Sequence, residues 1–220
     1  LLFNRKYLSR ILYPLLAISS GVLLGSTFFD LVPESLELAG NSAYALIIAG
    51  IIAFFSLEKL LQWHHHVEGD HPGKEKTVGY LSLIGDAIHN FVDVVIIGGA
   101  FLVSLPLGIS VTLAVVAHEI PHELADFTIL IHSGFSNRKA LLFNFLSAAT
   151  AILGTLLVLS LSTLAEVFIP YLVPFAAGNF LYIAMSDLIP ELHRPHSRIT
   201  SLFQIFAIIF GVLFISILPR

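Results

Sequence analysis

Apolar residues form seven long runs along this chain, and short polar segments separate them. The runs cover about residues 11–32, 43–63, 80–103, 109–132, 140–161, 171–191 and 200–218. Each run is long enough to cross a bilayer as a helix, which takes about 20 apolar residues. A backbone exposed to lipid must satisfy its own hydrogen bonds, so every run is predicted to be helical. The expected fold is an all-α polytopic membrane protein, with seven transmembrane helices in a single transmembrane domain over residues 1–220.

The composition agrees with this prediction and excludes several other classes of protein. Hydrophobic residues make up 56% of the chain and charged residues only 12%, against about 25% charged residues in ordinary soluble domains. The sequence has no glycine-rich phosphate loop and no basic face typical of nucleic-acid binding, so no nucleic-acid partner is expected. It contains no cysteine, and any bound metal would therefore need nitrogen and oxygen ligands.

The distribution of lysine and arginine predicts how the helices are oriented. If the first span begins in the cytoplasm, only Arg220 among the 11 basic residues lies on the outer side. The others fall at cytoplasmic ends: Arg5, Lys6, Arg10, Lys59, Lys74, Lys76, Arg138, Lys139, Arg194 and Arg198. Positive charge on the cytoplasmic side is typical of multi-pass membrane proteins. One span more or fewer between these residues would scramble the pattern, so it also supports the count of spans.

The longest predicted loop covers residues 64–79 and lies on the cytoplasmic side. It contains His64, His65 and His66, with His71 nearby. A short histidine tract can hold a metal ion loosely. A solvated loop that is merely rich in histidine explains the same residues equally well.

A five-residue motif occurs twice and indicates an internal repeat. The sequence DLVPE at residues 30–34 ends the first span, and DLIPE at residues 187–191 ends the sixth. With the orientation above, the first span runs outward and the sixth runs inward. The two copies are therefore inverted relative to each other, an architecture that is common among secondary transporters.

The repeat predicts one helix more than the seven apolar runs. It pairs the first span with the sixth and the second with the seventh, which leaves the fifth span without a counterpart. We expect that counterpart to precede Leu1 and to add roughly 20 apolar residues. Eight helices would then form two inverted triplets around the third and fourth spans, and the first helix of this bundle would be missing from the chain.

The fourth span carries ionisable side chains at a depth where they are costly. Its otherwise apolar stretch from residue 109 to residue 131 contains His118, Glu119, His122 and Asp126. A central charged residue costs roughly 2.5–3.5 kcal/mol on insertion scales, so such groups usually face a partner, an ion or water. His118 and His122 are four residues apart and share one helix face. Pro121 lies between them and should bend the helix beside these side chains.

The third span carries a matching polar stripe, formed by Asp86, His89, Asn90 and Asp93. Their spacing places all four side chains on one face of a helix. A short turn joins the third and fourth spans, so the two can be antiparallel neighbours whose polar faces meet. Nitrogen and oxygen ligands that cluster between two membrane helices suggest a metal ion held inside the membrane.

The first predicted metal position takes three imidazoles and one carboxylate. The residues are His89, Asp93, His118 and His122. This ligand set suits Zn²⁺ in tetrahedral coordination, with Zn–N distances of about 2.0–2.1 Å. Either Asp93 or His122 could bridge to a second ion.

A second, oxygen-rich position is predicted beside the first. Asn90 and Glu119 are adjacent to the first ligands in sequence, and Asn144 of the fifth span could join them. Taken alone, each asparagine is explained as well by a hydrogen bond to a neighbouring helix. Asp86 and Asp126 can likewise act as partners that orient the ligand imidazoles.

The H-E-x-x-H pattern at residues 118–122 also matches a zinc metalloprotease motif, in which the glutamate is the general base. A membrane-embedded metalloprotease is therefore the alternative function. Pro121 lies inside the motif, where such a protease needs a regular helical turn. His89 and Asp93 would also fill the coordination position that a catalytic zinc keeps open for water. We therefore do not expect this protein to be an enzyme.

The paired motifs resemble the signature of the ZIP family of divalent-metal transporters. They are HNFVD at residues 89–93 and HEIPHELADF at residues 118–127. The second motif resembles the family branch with H-E-x-P-H-E in its metal-binding helix, and the likeness extends over nearly the whole chain. It implies a bundle of eight helices, with inverted repeats and a binuclear metal site between two central helices.

The resemblance also implies roles for individual residues. The family pattern carries over to His89, Asp93, His118 and His122 for the first metal, and to Asn90, Glu119 and Asn144 for the second. Three positions depart from the pattern: Val94 and Ala125 stand where glycine is usual, and Ser26 stands where an acid is often found. The first two add bulk near the pathway, so flux or metal preference is expected to differ from typical members. Ser26 weakens any metal route along the first span.

The expected function is a multi-pass membrane transporter that moves divalent metal ions, above all Zn²⁺, toward the cytoplasm. Fe²⁺, Mn²⁺ and Cd²⁺ are further candidate substrates, and a homodimer is a candidate assembly. The site would replace the water shell of the ion inside the membrane. The family resemblance implies an elevator-like motion of the central helices against a scaffold. A metal-sensing membrane protein without flux is a third interpretation that fits the same residues.

Overall fold

Seven long helices make up the part of the chain that the computed structural model describes, residues 5–63, 74–193 and 198–218. They are α1 (Arg5–Ser26, continuing through Thr27–Leu31 and Val32–Ala39), α2 (Ser42–Trp63), α3 (Lys74–Val103), α4 (Leu105–His132), α5 (Asn137–Ala148 and Thr150–Leu161), α6 (Ala165–Tyr182, continuing through Ile183–Leu188 and Ile189–Leu192) and α7 (Arg198–Ser216). All seven are long and apolar enough to cross a membrane. The prediction of an all-α polytopic membrane protein with seven spans is confirmed.

Several helices extend beyond the apolar runs that predicted them, most clearly α1, α3 and α6. α1 ends at Ala39 rather than near residue 32, and α3 begins at Lys74 rather than near residue 80. Hydropathy marks the part of a helix that suits lipid, whereas the backbone hydrogen bonds can continue into water. The prediction of a loop is therefore wrong for residues 74–79. The histidine tract of that loop, at residues 64–66, lies outside the described residues.

Polar side chains lie inside the bundle, and apolar side chains cover its outside. Buried polar residues of the first, third and fourth helices include Ser19, Ser20, Ser26, Thr27, Asp86, Asn90, Asp93, Ser110 and His118. Large aliphatic and aromatic side chains are exposed along α2, α5 and α7. This distribution is expected in lipid, where polar groups within a span face the interior of the protein.

The two copies of the D-L-x-P-E motif share an unusual backbone conformation. Thr27–Leu31 of α1 and Ile183–Leu188 of α6 are π-helical turns, and no other such turn occurs in residues 5–63, 74–193 and 198–218. Each turn contains the aspartate of the motif, and the proline of the motif lies in the first turn of the α-helical segment that follows. The backbone of the two copies therefore agrees with the repeat that the sequence predicts.

Helix packing follows the same inverted relation. α1 packs most extensively on α7, and α2 packs most extensively on α6, which are equivalent pairs if the repeat exchanges α1 with α6 and α2 with α7. A glycine pair lies in each contact: Gly21 with Gly211, and Gly50 with Gly178. A methyl group on any of the four would overlap a carbonyl oxygen of the residue three positions before the partner glycine. Small residues thus let the backbones approach closely, as in other membrane helix pairs.

A very short turn makes α3 and α4 antiparallel neighbours. Only Ser104 separates Val103 from Leu105, and its backbone is extended, with φ −158° and ψ 155°. Its hydroxyl caps α4 by accepting a hydrogen bond from the backbone N–H of Leu107 at 3.2 Å. Pro106 falls in the first turn of α4, where the missing N–H has no helical partner in any case. This turn places the polar stripes of the two helices opposite each other.

The helix predicted before Leu1 stays a prediction. Because the inverted repeat exchanges α3 with α4, the counterpart of α5 would pack on α4 as α5 packs on α3. α4 does carry an exposed apolar stripe, formed by Leu105, Ile109, Val116 and Ile120.

Candidate metal centre

Four of the residues predicted as metal ligands form one compact cluster between α3 and α4. They are His89, Asp93, His118 and Glu119, and one ligand atom of each lies within 4.8 Å of all the others. The side chains of His118 and Asp93 are only 0% and 1% exposed. The predicted meeting of the two polar stripes is therefore present in the structure.

The spacing of these atoms matches the coordination shell of a zinc ion. Nε2 of His118 lies 2.9 Å from Oδ2 of Asp93, 3.2 Å from Nε2 of His89 and 3.5 Å from Oε1 of Glu119. Nε2 of His89 lies 3.6 Å from the same Asp93 oxygen and 3.2 Å from the same Glu119 oxygen. A tetrahedron with bonds of 2.0–2.1 Å requires about 3.3 Å between ligand atoms. The measured distances lie on both sides of this value.

The hydrogen bonds around the cluster leave its ligand atoms available. Nδ1 of His118 lies 2.9 Å from the carbonyl oxygen of Ala114, and it must donate because a carbonyl only accepts. A neutral ring then keeps its lone pair on Nε2, the atom that faces Asp93. Neither carboxylate oxygen of Asp93 has a hydrogen-bond partner, and Oε1 of Glu119 has none either. Buried oxygens of this kind are costly, and a cation among them would satisfy them.

His122 lies beside this cluster rather than within it. Its ring stacks on His89 with ring centroids 5.3 Å apart, and its centroid lies 6.0 Å from that of His118. His122 follows His118 by about one helical turn, so its ring lies one turn farther along α4. The longer side chain of Glu119 reaches the first cluster instead. The four ligand atoms that lie close together are thus from two imidazoles and two carboxylates, and the set of three imidazoles and one carboxylate stays a prediction.

A second cluster contains three carboxylates. Asp86, Glu119 and Glu123 each offer an oxygen, and the three oxygens lie within 4.8 Å of one another. Glu119 belongs to both clusters. Asp86 is 6% exposed, and its Oδ2 atom has no hydrogen-bond partner. Three carboxylates this close repel one another unless a cation or protons lie among them.

The two asparagines predicted as ligands of a second metal position donate hydrogen bonds to two of these carboxylates. Nδ2 of Asn90 donates to Oδ1 of Asp86 at 2.9 Å, and Nδ2 of Asn144 donates to Oε2 of Glu123. Sequence reasoning did not assign Asp86 and Glu123 as ligands. The available signal was helical spacing, since Asp86 precedes His89 by three residues and Glu123 follows Glu119 by four.

A cavity of about 410 Å³ leads from these clusters toward the ends of the helices that are predicted to be cytoplasmic. His89, His122 and Asp86 line it at the level of the metal centre, and Asp126 and Asp187 line it farther along.

Two of the acidic groups along this cavity accept hydrogen bonds from hydroxyl groups. Ser82 donates to Asp126 at 2.5 Å, and Tyr182 donates to Glu58, both of which also line the cavity. Toward the other membrane face, Ser110 of α4 donates to Asp30 of α1 at 2.5 Å. Carboxylates therefore line the cavity together with apolar side chains such as Phe54 and Leu57.

The three departures from the ZIP pattern have different surroundings. Ala125 lines the cavity, so its methyl group does add bulk there. Val94 lies close to Gly154 of α5 and takes part in helix packing. Ser26 is fully buried, and its Oγ atom lies 3.2 Å from Oγ of Ser110.

The fold and the clusters define a polytopic membrane protein whose central helices carry metal-ligand side chains. The family described as ZIP zinc transporter matches residues 64–219, more than half of the chain. The chain therefore belongs to the ZIP family of zinc transporters. Because this is a family of transporters, the interpretation of residues 118–122 as a protease motif is not favoured.

Individual relatives support the same assignment. The chain is 31% identical over 214 residues to zinc transporter ZIP13 of Pongo abelii, an alignment that covers 90% of this chain and 64% of that protein. It is 37% identical over 147 residues to the zinc transporter ZIP13 homolog of Drosophila melanogaster, covering 66% and 41%. It is 30% identical over 259 residues to zinc transporter zipt-7.2 of Caenorhabditis elegans, covering 90% and 56%. The chain thus spans roughly 41–64% of the length of these relatives.

Proposed function

We propose that this protein transports divalent metal ions across a membrane toward the cytoplasm, with Zn²⁺ as the main substrate. The observation that carries the proposal is the first cluster. Its two imidazoles and two carboxylates are spaced for tetrahedral coordination. His118 and Asp93 are buried, and the oxygens of Asp93 have no hydrogen-bond partner. Nitrogen and oxygen ligands in this geometry favour Zn²⁺, whereas Mn²⁺ prefers an octahedral shell of oxygens.

The second cluster supports a binuclear site. Asp86, Glu119 and Glu123 would hold a second ion, and Glu119 would bridge the two positions. His122 and Asn144 are adjacent groups that would complete or support these shells. The cavity begins at the clusters and is lined by Asp126 and Asp187 toward the predicted cytoplasmic ends, so it would give a bound ion a route to that side.

Uptake of ⁶⁵Zn²⁺ into proteoliposomes that contain the purified protein tests this proposal. We expect saturable uptake that excess unlabelled Cd²⁺ or Fe²⁺ reduces and that excess Mg²⁺ does not. A metal sensor without flux would bind zinc and give no uptake above that of empty liposomes. Cleavage of peptides in a zinc-dependent manner, without uptake, would instead support the protease.

Removal of one carboxylate from the second cluster is expected to remove one of two bound ions. Glu123→Gln keeps the size of the side chain but loses the charge that balances a cation. The first cluster does not contain Glu123, so it should retain its zinc. The zinc content per chain, measured by mass spectrometry after equilibrium dialysis, should fall by about half, because one of the two metal positions is lost and the other is kept. An unchanged zinc content in Glu123→Gln would contradict the binuclear site.

A further inference from the structure

A proline interrupts the hydrogen bonds of α4 at the metal centre. Pro121 has no N–H, so it cannot bond the carbonyl oxygen of Ala117, four residues earlier. α4 nevertheless continues as a helix through this point. Ala117 directly precedes His118 and Glu119, and its carbonyl belongs to the peptide group that leads into His118. The orientation of this peptide therefore bears directly on two residues of the first cluster.

Ser19 of α1 supplies the missing donor. Its hydroxyl donates to the carbonyl oxygen of Ala117 at 2.5 Å, across 98 positions of sequence. Ser19 is only 1% exposed, so water does not compete for this carbonyl from the Ser19 side. Two other buried hydroxyls of α1 behave differently: Ser20 bonds the carbonyl of Leu16 at 2.7 Å, and Thr27 bonds that of Leu23 at 2.7 Å. Bonding within the same helix is usual for serine and threonine, and Ser19 departs from it.

We propose that Ser19 is a positioning residue of the metal centre, which acts through the Ala117 carbonyl that Pro121 leaves without its helical donor. This inference rests on the proposed function, since it assumes that the first cluster binds metal. The hydroxyl holds the backbone of α4 in one geometry beside Pro121 and thereby fixes the backbone positions of His118 and Glu119. It also ties α4, which carries ligands, to α1, which carries none in either cluster.

The first cluster is sensitive to this support because its ligand atoms are 2.9–3.6 Å apart. Without Ser19, the partly buried carbonyl of Ala117 would lose a partner and would have to find another, which costs free energy. A rotation of the Ala117–His118 peptide toward a new donor would move Nε2 of His118 away from Asp93. The distances between the ligand atoms would then change, although α4 would remain helical.

A double-mutant cycle tests the proposal by restoring the missing N–H in a second way. We expect Ser19→Ala to weaken the affinity for Zn²⁺ about 10-fold or more, the range typical of partners that support metal ligands. In Pro121→Ala the backbone N–H of residue 121 can bond the Ala117 carbonyl again. The Ala117 carbonyl then no longer depends on Ser19 for a donor. Ser19→Ala introduced into Pro121→Ala should therefore weaken zinc binding by no more than about 2-fold, because substitutions that act on one shared interaction are not additive.

The matched control is Ser20→Ala, which removes the neighbouring buried hydroxyl whose bond stays within α1. It should leave zinc affinity unchanged. Affinity is measured on purified protein by competition with a fluorescent zinc chelator, and melting temperature is recorded for every variant. If Ser19→Ala fails to fold, recovery of folding by the added Pro121→Ala change would support the proposal, and no recovery would overturn it.

Two further results separate the failure of this inference from the failure of the proposed function. Equal losses of zinc affinity on Ser19→Ala in both backgrounds, or equal effects of Ser19→Ala and Ser20→Ala, would overturn the role of Ser19 alone. Absence of zinc binding in the unmodified protein would overturn the proposed function, and the role of Ser19 with it.

Discussion

Replacement of His118 by alanine is expected to remove high-affinity zinc binding and zinc uptake together. His118 is fully buried, and its Nε2 atom lies 2.9–3.5 Å from ligand atoms of Asp93, His89 and Glu119. Loss of this ring removes a ligand and leaves the buried carboxylate of Asp93 without its nearest nitrogen. The affinity for Zn²⁺ should fall by more than the roughly 10–100-fold that loss of a supporting partner costs.

The matched control for this variant is His132→Ala. His132 lies on the same helix, and its Nδ1 atom contacts the carbonyl of Thr128 four residues earlier, as Nδ1 of His118 contacts that of Ala114. His132 is exposed and lies outside both clusters. Its replacement should leave zinc affinity and uptake near those of the unmodified protein.

His122→Ala provides the comparison that decides between two ligand sets. The geometry predicts a smaller loss of affinity than for His118→Ala, because His122 lies beside the first cluster. The spacing of the motif in the sequence instead makes His122 a full ligand. If His122→Ala costs as much affinity as His118→Ala while Glu119→Gln costs little, the set of three imidazoles and Asp93 is the better description.

The second large effect is expected at the close contact between α2 and α6. Gly178→Val places a branched side chain where even a methyl group would overlap the carbonyl oxygen of Ile47. Backbone cannot move aside as a flexible side chain can, so the variant should be destabilised by at least the roughly 1–3 kcal/mol typical of an overpacked core. For a chain of this size that corresponds to a melting temperature lowered by roughly 2–12 °C.

Two further variants test whether the effect of Gly178→Val comes from the close contact between helices. Ala49→Val adds similar bulk on α2 at an exposed position beside Gly50 and should melt like the unmodified protein. Gly21→Val, at the equivalent position of the repeat, should lower the melting temperature about as much as Gly178→Val. A Gly178→Val protein that melts with the control would show that the two helices can separate at this point without loss of stability.

The sequence alone determines the features that depend on one helix at a time. Seven spans follow from local hydropathy, because each span must satisfy its own backbone and face lipid with apolar side chains. The repeat at Asp30 and Asp187 is visible because it is a linear motif, and the structure adds that both copies are π-helical turns. The meeting of His89 and Asp93 with His118 follows from helical period and a short turn, and these predictions needed no tertiary information.

Only the tertiary structure decides which side chains reach across from one helix to the next. Helical period places Glu119 and His122 near one face, but it does not give the rotation and shift of α4 relative to α3. In the packed bundle that geometry brings Glu119 into the first cluster and leaves His122 beside it. It also brings Asp86 to Glu123 and Ser19 to the Ala117 carbonyl. Such pairings depend on how contacts such as those at the glycines set the distances between helices, and no pattern along a single helix contains that information.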